Sequence, residues 1–391
     1  MNGSNYVAIR LLLTAPLPPL FILSVLFLNV FICEWLTTKP YFQSLGTALL
    51  VIILTAIEAN LGLIPTSDIP LYDGIFTYVA PFSLFLLLLQ VNLNDLRRAG
   101  LPMLTMFLVG SVGTIAGVLS SMWLFSGPQT VGNLYYALAG MFTGTYIGGS
   151  INFHALALHY GVSKAGNLFV AATAADNIMT AIWMAASLAI PQALQRFWPR
   201  RESTLPVETA NTLLTNDQET VSPLHLSLLL AMGTGGIFLS KEVASIWPAI
   251  PFVLVLTTLA LTLAQFRTIN QLRGSRLLGL LGIYLFLAVI GAYCDLSALL
   301  RDGQLAVVLF GMICGIVLIH ALIVYGIGAL FKIDWAVLSI ASQANIGGAT
   351  SALALARSLN RPDLQLPAVL VGSLGNAIGT YLGILVAEGL R

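Results

Sequence analysis

Two short stretches with the same core interrupt apolar segments of this 391-residue chain. They read 144 GTYIGGSINF 153 and 343 QANIGGATSA 352, with polar residues around a Gly-Gly pair. Paired glycines weaken a helix by about 1 kcal/mol each relative to alanine, and in lipid a freed backbone is tolerated only where it lines a cavity or a site. Two such interruptions at matching positions are typical of the substrate site of a secondary transporter.

The composition defines the class of protein. The chain is 58% hydrophobic and 8% charged, whereas an average soluble domain is about 25% charged. At about 20 apolar residues per crossing, we expect an all-α polytopic membrane protein with roughly ten to thirteen crossings, in a bacterial inner (plasma) membrane. The net charge of +1 provides no basic surface for nucleic acid. Cys33, Cys294 and Cys314 lack metal-binding spacing and are expected to be small core residues.

The apolar spans fall into two sets of six. They cover approximately residues 17–36, 43–63, 72–92, 101–125, 134–158 and 166–190, then 223–241, 248–266, 276–294, 304–330, 335–356 and 365–388. Residues 191–222 between the sets are polar and without apolar periodicity, so we interpret them as an aqueous linker. The prediction is a first half-repeat over 1–190 and a second over 223–391.

The two halves carry the same landmarks at an offset of 199 or 200 residues. Asp95-Leu96 recurs as Asp295-Leu296, Gly148-Gly149 as Gly347-Gly348, and Asp176-Asn177 falls opposite Gly375-Asn376. Three landmarks in register over about 80 residues indicate an internal duplication.

The loop charges and the number of spans disagree on orientation. Lys39, Arg97, Arg98 and Lys164 fall in alternate loops of the first half, which places those loops in the cytoplasm. In the second half the most basic loop, 267–276, follows the second span, so the halves would be inverted. Six full crossings in each half would instead make them parallel. A segment that is re-entrant, split or not a full crossing would reconcile the two, and the sequence leaves open which.

The candidate site centres on the two interruptions. Its predicted members are Thr145, Gly148, Gly149, Ser150 and Asn152 in the first half, and Gln343, Asn345, Gly347, Gly348 and Thr350 in the second. An opened helix presents N–H groups at one end, which suit an anion, and carbonyls at the other, which suit a cation. The alternative is that the glycines only permit close helix packing.

A lone acid follows in the next span. A carboxylate in mid-membrane costs at least about 2.5 kcal/mol, so we expect Asp176 to be paired, protonated or bound to an ion. Asp176, Asn177 and Asn376 form a possible sodium site, and a proton is the other candidate coupling ion. Alternatively, Asp176 is a structural acid held by hydrogen bonds to the Gly-Gly loop.

The other intramembrane polar residues have more ordinary interpretations. Asn29, Glu58 and His320 are expected to pair helices or to lie at an interface. His154 and His159 are five residues apart, which argues against a helical metal pair. The glycine series Gly372, Gly375, Gly379 and Gly383 predicts a smooth helix face for close approach of another helix.

The motifs resemble a known family. The runs 143 TGTYIGGSINF 153, 174 AADN 177, 343 QANIGGAT 350 and 368 AVLVGSLGNAIGTYLG 383 resemble the integral membrane family catalogued as domain of unknown function 819. The likeness extends from about Lys39 to Gly383. More distantly, that family is similar to the superfamily of cation/proton antiporters and bile-acid-type sodium symporters.

This resemblance implies a specific architecture. It implies two inverted repeats whose interrupted helices cross at mid-membrane, a separate panel domain, and elevator-like movement. Gly148-Gly149 and Gly347-Gly348 look like the crossing points, and Asp176-Asn177 looks like the ion site of antiporters. Those antiporters often have a basic residue in the second repeat, where this chain has Gly375-Asn376, and the many neutral polar groups look more like a sodium site of a symporter.

The sequence therefore favours a sodium- or proton-coupled symporter of a small organic solute, with sodium/proton antiport as the alternative. No other cofactor is expected, and a homodimer is possible. An enzyme is disfavoured because no catalytic set is present, and a channel or scaffold would not need duplicated, interrupted helices.

Overall fold

The computed structural model describes residues 17–43, 46–66, 69–91, 93, 96–200, 221–248, 250–294 and 303–391, and within these ranges it is helical with no strand. The fourteen longest helical elements are numbered along the chain. They are α1 Pro19–Thr37, α2 Gly46–Asn60, α3 Pro70–Leu88, α4 Leu101–Leu124, α5 Tyr135–Gly148, α6 Ser150–His159, α7 Gly166–Phe197, α8 Pro223–Ile246, α9 Phe252–Ala264, α10 Ser275–Ala292, α11 Gly303–Leu330, α12 Trp335–Ile346, α13 Gly348–Ser358 and α14 Gln365–Leu390.

Eight of these helices are long and apolar enough to cross a membrane. In the described part of the chain they are α1, α3, α4, α7, α8, α10, α11 and α14, and α2 and α9 are shorter apolar helices. Shorter helical turns lie between them, at Pro40–Gln43, Leu96–Ala99, Gly127–Val131, Gly132–Leu134, Val162–Lys164, Arg267–Asn270 and Pro362–Leu364, and α3 contains a π-helical turn at Ile75–Val79. The prediction of an all-α polytopic membrane protein is confirmed.

Helices α5 and α6 fold back on each other and form hairpin 1, residues 135–159. The rings of Tyr136, at its start, and Tyr160, just after its end, are 5.6 Å apart. In one straight helix these two residues would be separated by about 36 Å. The turn is at Gly149, whose φ of +85° is a left-handed conformation that favours glycine.

Helices α12 and α13 form hairpin 2, residues 335–358, in the same way. Its turn is at Gly348, which has φ +76°. Asp334, just before the hairpin, and Arg361, just after it, form an ion pair of 2.7 Å between Oδ2 and Nη1. Hydrogen bonds to Asp363 and then the pairing with Asp334 raise the pKa of the Arg361 guanidinium above its ordinary value. This buried pair holds the two ends of hairpin 2 together.

The hairpins enter the bundle from opposite ends, because α14 packs along both. Near the start of α14, Gly372 lies against Ala349 of hairpin 2. Near its end, Gly383 lies against Gly140 of hairpin 1, and the carbonyl of Leu390 accepts a hydrogen bond from Tyr135 Oη. The end of the bundle at the base of hairpin 1 is called the Tyr136 end, and the opposite end, at the base of hairpin 2, is called the Arg361 end.

The two hairpin tips meet inside the bundle. A methyl group placed on Gly149 would lie 3.8 Å from the Cα of Gly348, and one placed on Gly348 would lie 3.9 Å from the Cα of Gly149. The two glycine turns are therefore in direct contact, about halfway along α14.

Two sequence predictions are corrected here. The Ile-Gly-Gly helices are interrupted as predicted, but the two segments do not run through the bundle and cross each other. In each of them the chain reverses at the glycine turn and returns to the end of the bundle from which it came. The linker does not begin at residue 191, because α7 continues helically through Pro191 to Phe197. Residues 201–220 of the predicted linker lie outside the described residues.

Because the chain reverses at hairpin 1, the loops that follow lie at the opposite end of the bundle from the one the loop pattern predicted. Lys164, which the loop pattern grouped with Lys39, is at the Tyr136 end, because hairpin 1 does not cross. Lys241 and Arg391 lie at that end too. The other lysine and arginine side chains that the structure describes lie at the Arg361 end: Lys39, Arg98, Arg196, Arg200, Arg267, Arg273, Arg276, Lys332, Arg357 and Arg361. Re-entrant segments thus account for the conflict between loop charge and span count.

Helix packing is reciprocal between the two halves. If α1–α7 are matched in order with α8–α14, a contact between two helices is repeated by their counterparts. The pair α1 and α2 matches α8 and α9, α2 and α10 matches α9 and α3, and α1 and α10 matches α8 and α3. Likewise, α5 and α14 matches α12 and α7, and α7 and α11 matches α14 and α4. Helices α4 and α11 run antiparallel, since Gly113 lies against His320 and Gly117 against Ile316. The landmark acids Asp95 and Asp295 lie outside the described part of the chain.

Membrane-impermeant maleimide labelling should test the hairpins, after the three native cysteines are replaced by alanine. Asn133→Cys and Lys164→Cys, on either side of hairpin 1, should both react from one face of the membrane. Lys332→Cys, just before hairpin 2, and Arg357→Cys, in its last turn, should both react from the other face. Labelling of Asn133→Cys and Lys164→Cys from opposite faces would show that hairpin 1 crosses.

The glycine contacts of α14 should control stability. A Cβ on Gly375 would lie 2.9 Å from Gly148 Cα and still closer to the Ile147 carbonyl oxygen, so Gly375→Ala should destabilise the protein by on the order of 2 kcal/mol. Gly235→Ala is the matched control, because a Cβ there meets nothing within 4 Å. Thermal unfolding of the detergent-solubilised protein measures both, and an equal effect of the two would contradict the packing role.

Candidate functional site

The tip of hairpin 1 is built from backbone hydrogen bonds and one side-chain bond. The Gly149 N–H donates to the Thr145 carbonyl at 2.7 Å, and the Asn152 N–H donates to the Gly149 carbonyl at 3.1 Å. The buried Asn152 Oδ1 accepts from Thr380 Oγ1 of α14 at 2.7 Å. Gly148 packs directly on α14 backbone at Gly375. These contacts fix the tip against α14.

The tip of hairpin 2 contains a buried amide without a partner. The Gly347 N–H donates to the Gln343 carbonyl at 2.8 Å. The Gln343 side chain is 0% exposed, its Nε2 lies over Gly347, and neither Nε2 nor Oε1 has a hydrogen-bond partner. An unpartnered buried amide costs roughly 1–3 kcal/mol. Such a group at a turn is typical of a site that binds a ligand.

Unlike the Gln343 amide, the Asn345 amide has hydrogen-bond partners on both its atoms. Its Oδ1 accepts from Ser111 Oγ at 3.0 Å, and its Nδ2 donates to the carbonyls of Phe107 and Ala341, both at 3.1 Å. The amide is therefore fully used in joining hairpin 2 to α4. Of the predicted site residues, Asn345 is one that the structure gives a packing role.

Asp176 lies on α7, beside Tyr146 of hairpin 1. The Tyr146 hydroxyl lies near the Asp176 carboxylate. Neither Tyr146 Oη nor Asp176 Oδ1 has a hydrogen-bond partner. Two turns further along α7, on the same stripe, Trp183 Nε1 donates to Ser342 Oγ of hairpin 2 at 3.2 Å. Because α7 and α12 run antiparallel, this contact puts Asp176 at the level of the tip of hairpin 2.

The other predicted polar residues lie around the same point. Asn177, next to Asp176, is half-buried, and its Nδ2 has no partner. Asn376 Oδ1 is 3.9 Å from where a Gly149 methyl group would be. Ser150 and Thr350, in the first turns of α6 and α13, are exposed. The structure therefore brings predicted residues of both halves together at the paired tips.

The only acid in α7 and in both hairpins is Asp176. No group of three or more His, Cys, Asp or Glu side chains occurs among the residues that the structure describes. The described lysines and arginines lie towards the two ends of the bundle. A cation at this site would therefore be held by one carboxylate and neutral oxygen atoms, which suits sodium or a proton better than a transition metal.

A buried hydrogen-bond network surrounds the site. His320 Nδ1 lies 2.9 Å from the Gly110 carbonyl, and His320 Nε2 lies 2.9 Å from Ser342 Oγ. A carbonyl only accepts, so Nδ1 is the donor and Nε2 accepts from Ser342. The prediction that His320 pairs helices is confirmed, because these bonds join α11 to α4 and α12. Asn29 likewise donates to Glu58 Oε2 at 2.5 Å, between α1 and α2.

Sequence reasoning missed several residues of the site. Tyr146 lies inside the first motif but looks like an ordinary aromatic core residue. Trp183 is seven residues after Asp176, a spacing that repeats on one helix face, and this signal was available in the sequence. Thr380 follows Gly379 in the glycine series, but nothing in the sequence connects it to Asn152.

The comparisons with known proteins agree with one another. The model of the family described as protein of unknown function (DUF819) matches residues 20–391. The chain belongs to the DUF819 family. It is also 30% identical over 368 residues to the uncharacterized membrane protein YjcL of Bacillus subtilis (strain 168), a match that covers 88% of this chain and 90% of YjcL. The family match over residues 20–391 contains both hairpins and α7 of this DUF819 protein.

The two amides of hairpin 2 should respond differently to the same replacement. Gln343→Leu removes an unpartnered buried amide, so it should leave the melting temperature unchanged or raise it. Asn345→Leu breaks three hydrogen bonds and leaves the Phe107 carbonyl as the acceptor of Ser111 Oγ, so it should cost about 2 kcal/mol or more. Thermal unfolding of the purified protein measures both. Equal destabilisation by the two variants would indicate a structural role for Gln343 as well.

Proposed function

We propose that this DUF819 protein is a secondary active transporter that moves a small organic solute together with sodium or protons. The observation that carries the proposal is the meeting of two helical hairpins, from opposite ends of the bundle, at a point that also contains Asp176. Irregular backbone and an acid at this depth are stable in lipid only if they line a cavity or bind something. Alternating access to such a site defines a transporter of this kind.

The proposal includes an inverted repeat. It is supported by the reciprocal helix packing, in which the seven elements α1–α7 correspond to α8–α14. The corresponding helices α4 and α11 run antiparallel, and the hairpins enter from opposite ends. Both relations follow if the halves are related by a two-fold axis in the membrane plane. Five crossings and one re-entrant hairpin in each half give this inversion, whereas six crossings would not.

The orientation follows from charge. Most of the described lysines and arginines are at the Arg361 end, and cytoplasmic loops carry the excess of basic residues. Hairpin 2 would then enter from the cytoplasm and hairpin 1 from outside. The location in a bacterial inner membrane and the homodimeric state remain predictions from the sequence.

The proposed movement is of the elevator type. Helices α1, α2, α3, α8, α9 and α10 pack mainly with one another, and the hairpins pack mainly with α4, α7, α11 and α14. This division supports a fixed panel and a moving core that contains the site. The core contains both tips and α14, which is packed on both, so the site would move as one body.

The coupling ion would bind at Asp176, with Tyr146, Asn177 and Asn376 as neutral neighbours. Sodium and a proton are both compatible with these groups. In either case the ion neutralises a carboxylate whose Oδ1 has no hydrogen-bond partner.

Asp176→Asn should abolish coupling. In vesicles that contain the protein, pyranine and ²²Na⁺ would report proton and sodium movement after addition of a mixture of small carboxylates, amino acids and sugars. Wild type should show cation uptake only with the mixture, and Asp176→Asn should show none. The matched control is Glu58→Gln, an acid on α2 that is bonded to Asn29, and this variant should keep coupling. Sodium/proton exchange without any solute would support the antiporter alternative, and unchanged cation uptake in Asp176→Asn would show that the acid is structural.

A further inference from the structure

We infer that the solute is a small organic anion, whose negative group binds to N–H donors at the paired tips only when the coupling cation has neutralised Asp176. This inference deepens the proposed function, on which it rests, because it names the class of solute and the physical reason for coupling.

The first observation is that two helices begin at the tips. Helix α6 has 10 residues and α13 has 11, and the first turns of both lie where Gly149 meets Gly348. The first N–H groups of a helix have no partner within it and carry partial positive charge. Ser150 and Thr350 add exposed hydroxyl groups in these turns. Two helix N-termini at one point favour a negatively charged group.

The second observation is independent of the helix ends. The Gln343 amide is 0% exposed and has no partner on either atom, and it lies directly over the turn at Gly347. Whichever way the amide is oriented, its NH₂ group has two N–H donors without an acceptor. The Asn177 NH₂ group, beside Asp176, also lacks a partner. These two NH₂ groups could bind an anion by hydrogen bonds, as a lysine or an arginine would do in other proteins.

Four carbonyl oxygens at the tips already accept hydrogen bonds within the hairpins. The Thr145 and Gln343 carbonyls accept from the turn amides of Gly149 and Gly347. The Gly149 carbonyl accepts from the Asn152 N–H, and the Gly348 carbonyl accepts from Ser351 Oγ at 3.0 Å. These four carbonyls are therefore not available to a ligand, whereas the NH₂ groups of Gln343 and Asn177 are. A carboxylate would find donors in these groups and in the first turns of α6 and α13.

The position of Asp176 then explains why a cation is required. Its carboxylate is within reach of Tyr146, three residues before the turn of hairpin 1, and is level with the tip of hairpin 2. Charges of the same sign repel strongly in a medium of low dielectric constant. An anion at the tips and an ionised Asp176 therefore exclude each other, and sodium or a proton on Asp176 removes the conflict. The titratable group facing Asp176 from α5 is Tyr146, and Cys314 of α11 lies close to Tyr146.

The test uses the purified full chain and five defined probes, of which three are carboxylates. The shift of the melting temperature is measured with acetate, succinate and citrate, in sodium-free buffer at pH 7.5, in the same buffer with sodium, and in sodium-free buffer at pH 5.5. Choline and glucose serve as cationic and neutral probes. At least one carboxylate should stabilise wild type, with an affinity at least about tenfold higher when sodium is present or the pH is low. Asp176→Asn should bind the same carboxylate equally in all three buffers.

Two further variants locate the binding. Gln343→Leu should weaken carboxylate binding by about tenfold without lowering the melting temperature of the free protein. Gln129→Ala, which removes an exposed glutamine far from the tips, should leave binding unchanged.

The inference would be overturned if no carboxylate stabilises wild type. It would also be overturned if carboxylate binding is the same in Gln343→Leu, or if Asp176→Asn retains the cation requirement. Failure of the transporter proposal gives a different result. Coupled flux of glucose or choline in vesicles would keep the transporter and refute the anion, whereas carboxylate binding at the tips without any flux would keep the anion site and refute the transporter.

Discussion

The close contact of bare backbones at the centre of the bundle makes the rest of the structure possible. Gly148 of hairpin 1 lies on Gly375 of α14, and Gly372 lies on Ala349 of hairpin 2. Because α14 presents almost no side chain on this face, both hairpins reach the same depth and their turns touch. In lipid, packing of small residues supplies stabilisation that hydrophobic burial does not. A single methyl group at these positions would separate the hairpins from α14.

Below this contact, the two hairpins are held in different ways. Hairpin 1 is bonded to α14 at its tip, through Asn152 and Thr380, and again at its base, through Tyr135 and Leu390. Hairpin 2 is bonded to α4 through Asn345 and to α7 through Ser342 and Trp183. Polar atoms without a hydrogen-bond partner occur on both hairpins and on α7. They are Tyr146 Oη and Asn152 Nδ2 on hairpin 1, both amide atoms of Gln343 on hairpin 2, and Asp176 Oδ1 and Asn177 Nδ2 on α7. Both halves thus contribute unpartnered polar groups near the paired tips.

The sequence was sufficient for the membrane class, the interruptions and the gathering of their residues around Asp176, because hydropathy and glycine pairs are local signals. It was not sufficient for the path of the chain at each interruption. An Ile-Gly-Gly run in an apolar segment is compatible with a broken helix that continues and with one that reverses. The difference depends on contacts between distant residues, such as Tyr136 with Tyr160 and Asp334 with Arg361. The conflict between basic loops and span count was the one indication of re-entry in the sequence.

Helices α7 and α14, which correspond in the proposed repeat, differ at the position that faces the hairpins. At corresponding positions, α14 has Gly375, which packs on backbone, and α7 has Asp176, which needs a partner. Duplication alone would give two equal sites, but a carboxylate at both positions would put two like charges at one depth. With glycine at one position and aspartate at the other, α14 packs closely on hairpin 1 and a single carboxylate remains at this depth. The proposed coupling by one cation is consistent with this single acid.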